Sequence, residues 1–172
     1  MRLSIIILVL TTCIVMGAGC SKEKNVSTYP SSEQIRKFTV QNNLNVIDEK
    51  KIEDSFSVIL YENDSEYGYY ILYVASDGTL RNDRYYSFKS NSKLSISGQS
   101  SGHPFTVIVF NDMTLLEKAN IIKFQYANGK SDVVQLDKKN KGLIHPILNG
   151  DTKSTVTLIE ITDSDNNIIF KQ

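Results

Sequence analysis

Tryptophan is absent from this chain of 172 residues, and cysteine, histidine and proline are scarce. With only two cysteines and two histidines, the composition argues against a disulfide framework and against a zinc site built from thiolates. Charge of one sign is not in excess either, because 19 basic residues balance 19 acidic ones. The chain therefore has no basic field that would attract nucleic acid. We also identify no nucleophile elbow and no glycine loop that cradles phosphate, so the enzyme classes that these motifs define are disfavoured.

The one long apolar run lies at the start of the chain. Met1 and Arg2 form a positively charged start, residues 3–15 are mostly apolar, and small residues at 17–19 precede Cys20. This order is typical of a secretory signal peptide. The segment Met16-Gly17-Ala18-Gly19-Cys20 resembles the lipobox of bacterial lipoproteins, with glycine at position 17 where that family most often has leucine.

The lipobox resemblance implies a lipid-anchored protein. Residues 1–19 would be removed as a signal peptide, and Cys20 would carry a diacylglyceryl group that binds the outer face of the cell membrane. Two or more acyl chains hold a protein there stably, whereas one chain binds only marginally. Two alternatives stay open: an ordinary secretory signal cut near Gly19, and a retained membrane helix, for which the run is shorter than the roughly 20 residues that a bilayer requires.

Three segments follow the signal peptide. Residues 20–31 are polar and contain Pro30, so we predict a flexible, disordered, lipidated tether. We predict a small α+β domain at 32–90, with a helix at 32–42 whose N-cap is Ser32, and a β-sandwich domain at 91–172. The stretch 90–102, rich in serine and glycine, is either a domain boundary or an edge strand. Alternating apolar residues predict an antiparallel meander of strands at 45–52, 56–62, 67–75 and 81–88.

The second domain is predicted as seven short strands with the spacing of an immunoglobulin-like sandwich. Residues 105–110 place apolar side chains on both faces of the predicted strand, as in a central strand. Asn128-Gly129 is a strong hairpin signal. The fold class is therefore mainly β, with an N-terminal helix and antiparallel meander followed by an immunoglobulin-like β-sandwich. The stretch 105–170 is similar to small uncharacterised lipoproteins of Gram-positive bacteria, through segments 107–112, 115–118 and 128–130, and this similarity implies no activity.

A crowd of tyrosines is the strongest candidate for a binding site. Strand alternation places Tyr67, Tyr69 and Tyr73 on one face of a hairpin and Tyr70 on the other. Such a face can stack on sugar rings or anchor a protein partner. It can also simply fill a sheet face, as the strand propensity of tyrosine predicts.

Other polar groups give weaker signals. His103 and His145 each precede a proline, and neither has a metal-ligand partner at useful spacing, so we predict loop or edge-strand histidines and no metal site. The run 163–167 has oxygen ligands at alternate positions like the opening of a calcium loop, but it lacks the glycine and the final glutamate of such loops. A solvated hairpin turn explains it better, and we predict no cofactor.

These observations together predict a lipid-anchored extracytoplasmic protein that is a non-enzymatic binding or accessory module of the cell envelope. Its expected partners are membrane lipid through Cys20 and an envelope protein or cell-wall ligand, with no nucleic acid. Two other functions stay open: an envelope hydrolase or metal-dependent enzyme whose site is assembled from scattered loops, and an immunity or inhibitor lipoprotein.

Overall fold

A computed structural model describes residues 27–88, 91–100, 102–147 and 155–172. The signal peptide and Cys20 lie outside the described residues. The described part is mainly β with antiparallel sheets, as predicted. Its elements are α1 (Ser32–Gln41), β1 (Asn45–Ile52), β2 (Phe56–Glu62), β3 (Glu66–Val74), β4 (Leu80–Phe88), β5 (Leu94–Gln99), β6 (Phe105–Phe110), α2 (Met113–Lys118), β7 (Ile121–Tyr126), β8 (Ser131–Gln135), β9 (Gly142–Pro146), β10 (Val156–Thr162) and β11 (Ile168–Lys171).

The first sheet is the predicted meander, with strand order β1-β2-β3-β4. Helix α1 packs on one face of it, because Ile35 and Phe38 are buried against Tyr70 and its neighbours. The helix begins as a capping box in which the Ser31 hydroxyl accepts from the Gln34 backbone N–H. The N-cap is thus Ser31 and not Ser32, since the glutamine that completes the box lies three residues after Ser31.

The end of the predicted tether contacts the first sheet. Thr28 forms a two-way backbone bridge with Val74, at 2.9 Å in each direction, and the Tyr29 N–H donates to the Asp54 carbonyl. Pro30 is buried. The expectation of a disordered tether is therefore wrong for these residues, because the backbone groups of Thr28 and Tyr29 are hydrogen-bonded to the first sheet and its turn.

The remaining strands form two more sheets. The central sheet has the order β5-β6-β9, and the third sheet has the order β11-β10-β7-β8. All seven strands predicted after residue 91 are present, and β5 is an edge strand, which was one of the two alternatives for the serine-rich stretch. The predicted Asn-Gly hairpin joins β7 and β8, and Gly129 takes the positive φ of 80° that its turn requires.

Strand β6 is buried on both faces and separates two hydrophobic clusters. Phe105, Val107 and Val109 pack against the first sheet, whereas Ile108 and Phe110 pack against the third sheet. The cluster between the first and central sheets contains residues from both sides of the predicted domain boundary at residue 90, and the division into two domains stays a prediction. Within the described residues, no helix has the length and hydropathy to cross a bilayer.

Candidate functional site

A cleft of about 310 Å³ opens between the first sheet and the central sheet. Its walls come from β3 and β4 on one side and from β5 on the other, and both β4 and β5 are edge strands. We call it the tyrosine cleft. The side chains that give it chemical character are the phenols of Tyr67, Tyr69 and Tyr85 and the hydroxyls of Ser87, Ser95 and Ser97.

A stacked pair of rings forms the floor of the tyrosine cleft. The ring centroids of Tyr69 and Tyr85 lie 4.9 Å apart with an interplanar angle of 14°. Tyr69 is 6% exposed and meets Phe105 edge-on at 5.6 Å, so it is fixed from below, while Tyr85 is 46% exposed. Burial, with a smaller effect of Tyr85, raises the pKa of Tyr69 to about 12, so its phenol is neutral at physiological pH. The pair therefore presents a rigid, uncharged aromatic surface to solvent.

The β3–β4 hairpin sets this pair. Tyr69 and Tyr85 are direct cross-strand partners, because the turn at residues 75–79 fixes the register of the two strands. In that turn Gly78 has a φ of 79°, and the Asp77 carboxylate accepts from the Thr79 N–H at 2.9 Å. Cross-strand aromatic pairs of this kind stabilise a sheet as well as a site.

The opposite wall depends on one glycine. Gly98 in β5 has a φ of 142°, and a Cβ atom there would lie 2.2 Å from the Phe105 carbonyl oxygen. Only glycine lets β5 approach β6 so closely, with Ser95 and Ser97 beside it in the cleft wall. Among the described residues that line the tyrosine cleft, none carries a charge.

The predicted tyrosine face is thus divided in the structure. Tyr67 and Tyr69 line the tyrosine cleft, but Tyr73 lines a separate hollow beside Asp77 and Arg81. Tyr70 lies on the opposite face, where its ring meets Phe38 of α1 at 5.0 Å. That these tyrosines bind a ligand stays a prediction.

Sequence reasoning missed Tyr85, although a signal for it existed. The turn residues Ser76-Asp77-Gly78 fix the register of the hairpin, and counting outward from them pairs Tyr85 with Tyr69. A pattern of the type Gly-x-Ser-x-Gly at residues 98–102 was also missed. A nucleophile elbow needs a strand followed by a helix, whereas this segment connects the antiparallel strands β5 and β6, so Ser100 is not on an elbow.

The two histidines lie in different contacts. His145 Nε2 is 3.1 Å from Asp132 Oδ2, and the Tyr126 hydroxyl donates to the same carboxylate oxygen at 2.7 Å. Burial lowers the pKa of His145, an effect that Asp132 partly opposes, so the imidazole is neutral at neutral pH and joins the central sheet to the third sheet by hydrogen bonds. His103 instead contacts Ser55 and Glu53.

No group of three histidine, cysteine or acidic side chains that could hold a metal ion occurs in the part of the chain that the structure describes. In the run 163–167, the Asp163 carboxylate accepts from the backbone N–H groups of Asp165 and Asn167, each at 2.9 Å. These hydrogen bonds lower the pKa of Asp163 and close the turn between β10 and β11. The turn explanation accounts for every one of these contacts.

The chain matches no protein-family model, and no curated protein or solved structure matches it.

Proposed function

We propose that the protein is a lipid-anchored binding module on the outer face of a bacterial cell membrane, and that the tyrosine cleft is its ligand site. The lipobox-like segment that ends at Cys20 supports the anchor. The observation that carries the ligand site is the half-exposed Tyr85 ring stacked on the buried Tyr69 in an uncharged cleft. An anchor confines the cleft near the membrane and so raises its effective concentration for envelope ligands.

The ligand class that best suits the tyrosine cleft is a neutral glycan of the cell wall. The C–H face of a sugar ring can lie on the Tyr85 ring, while serine hydroxyls on both walls exchange hydrogen bonds with sugar hydroxyls. An uncharged lining gives no attraction for a phosphate polymer or a basic peptide. The volume is at the lower end of the range for ligand pockets, about 300–1,000 Å³, and suits a short segment of a glycan strand.

A finer fold assignment accompanies this proposal: strands β5–β11 form an immunoglobulin-like sandwich. If these strands are lettered A to G, the central sheet reads A-B-E and the third sheet reads G-F-C-D. Immunoglobulin constant domains have A-B-E-D and C-F-G, so the arrangement differs only in the sheet to which the fourth strand belongs. The cluster that contains Ile108 and Phe124 fills the space between these two sheets.

The glycan proposal is tested by titration calorimetry of the full chain in detergent with a tetramer of N-acetylglucosamine. Binding is expected for the native chain, and Tyr85→Ala is expected to weaken it about two- to tenfold, because one aromatic stacking contact contributes about 0.5–1.5 kcal/mol. Tyr73→Ala is the matched control, since Tyr73 lies on the same face of β3 but outside the tyrosine cleft.

Three outcomes contradict the glycan proposal: no binding, equal losses for Tyr85→Ala and Tyr73→Ala, or a strong dependence on salt, which an uncharged site does not produce. Crosslinking in intact cells then tests the other partner class. A protein captured by the native chain and lost with Tyr85→Ala would assign the cleft to a protein partner instead.

The anchor is tested separately by metabolic labelling with an alkyne fatty acid. The native chain is expected to take up the label and to remain with the membrane fraction, and Cys20→Ala is expected to lose both properties. A Cys20→Ala chain that stays fully membrane-bound would refute the anchor and leave the cleft experiments unaffected.

A further inference from the structure

Ser55, His103 and Glu53 are aligned in the order of a serine-nucleophile triad. Ser55 Oγ lies 3.1 Å from His103 Nε2, and His103 Nδ1 lies 2.7 Å from Glu53 Oε2. The Glu53 carboxylate accepts a hydrogen bond from the Nδ1–H group of His103. The neutral ring then has no hydrogen on Nε2, which can accept a hydrogen bond from the serine hydroxyl. A nucleophile in contact with a base, and a base oriented by a third group, is the arrangement that activates serine in unrelated folds.

The fold holds this arrangement between two sheets. Ser55 and Glu53 lie in the turn between β1 and β2, and His103 lies just before β6. The adjoining residues Phe56 and Phe105 are buried and pack edge-on at 6.2 Å, and the His103 ring meets Phe56 at 5.9 Å. The aromatic contacts therefore fix the distance between the turn and the histidine.

The turn directs only one of its two carboxylates to the histidine. Glu53 has a φ of 48°, a left-handed conformation that costs a non-glycine residue free energy. Asp54 instead forms an ion pair with Lys51 at 2.6 Å, and the Lys51 ammonium also lies over the Tyr29 ring. Lys51 is therefore engaged away from Ser55, and Glu53 is the acid that faces His103.

We propose that Ser55 is a catalytic nucleophile that cleaves small, unhindered carboxylic esters. Ser55 Oγ attacks the ester carbonyl carbon, its proton moves to His103 Nε2, and the carbon–oxygen bond to the alcohol breaks as the alcohol takes that proton. A water molecule then gives a proton to Nε2 and attacks the acyl carbon, and the proton returns to Ser55 as the acid leaves. The net reaction is ester plus water to acid plus alcohol.

The exposure of the triad defines this substrate class. The side chains of His103 and Glu53 are 41% and 53% exposed, and Ser55 beside them is half-buried, so the serine can be reached from the molecular surface but leaves little room around it. Such a nucleophile reaches an ester that projects from a larger molecule, provided that the acyl group is small. This activity is independent of the ligand in the tyrosine cleft and goes beyond the proposed function.

The test is covalent labelling of the full chain in membranes with a fluorophosphonate probe, followed by peptide mass spectrometry. The native chain is expected to carry the probe on Ser55 and to hydrolyse p-nitrophenyl acetate, and Ser55→Ala is expected to lose both signals. His103→Gln should lower the labelling rate by about a hundredfold or more, as expected for loss of a general base. Ser65→Ala is the matched control, because Ser65 lies in the next hairpin turn and its hydroxyl donates to the Asn63 side chain, not to a histidine.

Glu53 acts as a positioning residue, and its test compares the labelling rates of Glu53→Gln and Glu53→Ala. The rate should fall less with Glu53→Gln than with Glu53→Ala, because glutamine keeps an oxygen that can accept a hydrogen bond from His103 Nδ1, whereas alanine does not. Circular dichroism spectra check that each variant is folded. An unlabelled native chain, a label on another residue, or equal labelling of Ser55→Ala would overturn the proposal and leave the three residues as a structural contact between the sheets.

Discussion

Gly68 in the middle of β3 gives the sharpest test of the packing in the first sheet. A Cβ atom at this position would lie 2.5 Å from Tyr61 Oη and 2.6 Å from Tyr61 Cζ, on the neighbouring strand. Tyr61 is only 2% exposed, and its hydroxyl donates to Glu66 at 3.1 Å and accepts from Arg84 at 2.8 Å. The ring therefore cannot move aside without losing these contacts.

The expected effect of Gly68→Ala follows from three contributions. Overpacking of a buried position costs about 1–3 kcal/mol, and each hydrogen bond lost by the displaced phenol costs about 1 kcal/mol. Alanine lowers the entropy of the unfolded chain, which offsets about 0.4–1 kcal/mol. Because Gly68 is not in the left-handed region, backbone strain adds nothing. We expect the free energy of unfolding to fall by about 2–3 kcal/mol.

The assay is urea unfolding followed by far-ultraviolet circular dichroism, with a double-mutant cycle. In a Tyr61→Leu background the ring is absent, so Gly68→Ala should cost close to nothing there. Gly129→Ala serves as a comparison, since an added Cβ atom meets nothing within 4 Å there and only the φ of 80° opposes alanine. An equal cost of Gly68→Ala in both Tyr61 backgrounds would refute the steric explanation.

Three further predictions concern pH and the junction between sheets. Because the pKa of Tyr69 is raised to about 12 and that of an unfolded tyrosine is about 10, its contribution to stability is present below pH 10 and is lost towards pH 12. Between about pH 10 and pH 12 the urea midpoint should fall less steeply for Tyr69→Phe than for the native chain. An identical slope for the two proteins would be evidence against the burial of Tyr69. Because burial lowers the pKa of His145, the unfolded state binds a proton more readily, and stability should fall as the pH drops below about 6.5. His145→Gln should weaken this acid dependence of the melting temperature, and an unaltered dependence would count against it. Asp48 Oδ2 accepts from the Ile144 N–H at 2.8 Å and so joins β1 to the edge strand β9. Asp48→Ala should cost about 1–2 kcal/mol in urea unfolding, whereas Asp48→Asn keeps an acceptor and should cost less, and a greater loss for Asn would refute this role.

The strands were predictable because their signals are local. Period-two alternation and turn residues gave β1 and β2 with the observed boundaries, apolar residues on both faces gave β6, and the Asn-Gly pair gave the β7–β8 hairpin. The end of the tether was not predictable in this way, since Thr28 bridges to Val74, far along the chain. Its backbone pairing leaves no trace in local composition.

The candidate sites depend on contacts between sheets, which local patterns do not encode. Alternation placed Tyr73 beside Tyr69 on one face, but it could not show where the central sheet ends and therefore which tyrosines border a cleft. Ser55 and His103 are 48 residues apart in sequence, and only the packing of the first sheet on the central sheet brings them together.

Phe105 connects the two candidate sites through one layer of packed rings. It meets Tyr69 of the tyrosine cleft at 5.6 Å and Phe56 at 6.2 Å, and Phe56 in turn meets His103 at 5.9 Å. Phe105 is 1% exposed and begins β6, the strand that both hydrophobic clusters share. Packed cores resist deformation, so a change at this ring shifts its neighbours instead of being absorbed. The orientation of the Tyr85 ring and the contact between Ser55 and His103 therefore depend on the same junction of two sheets, although the chemistry proposed for each is independent.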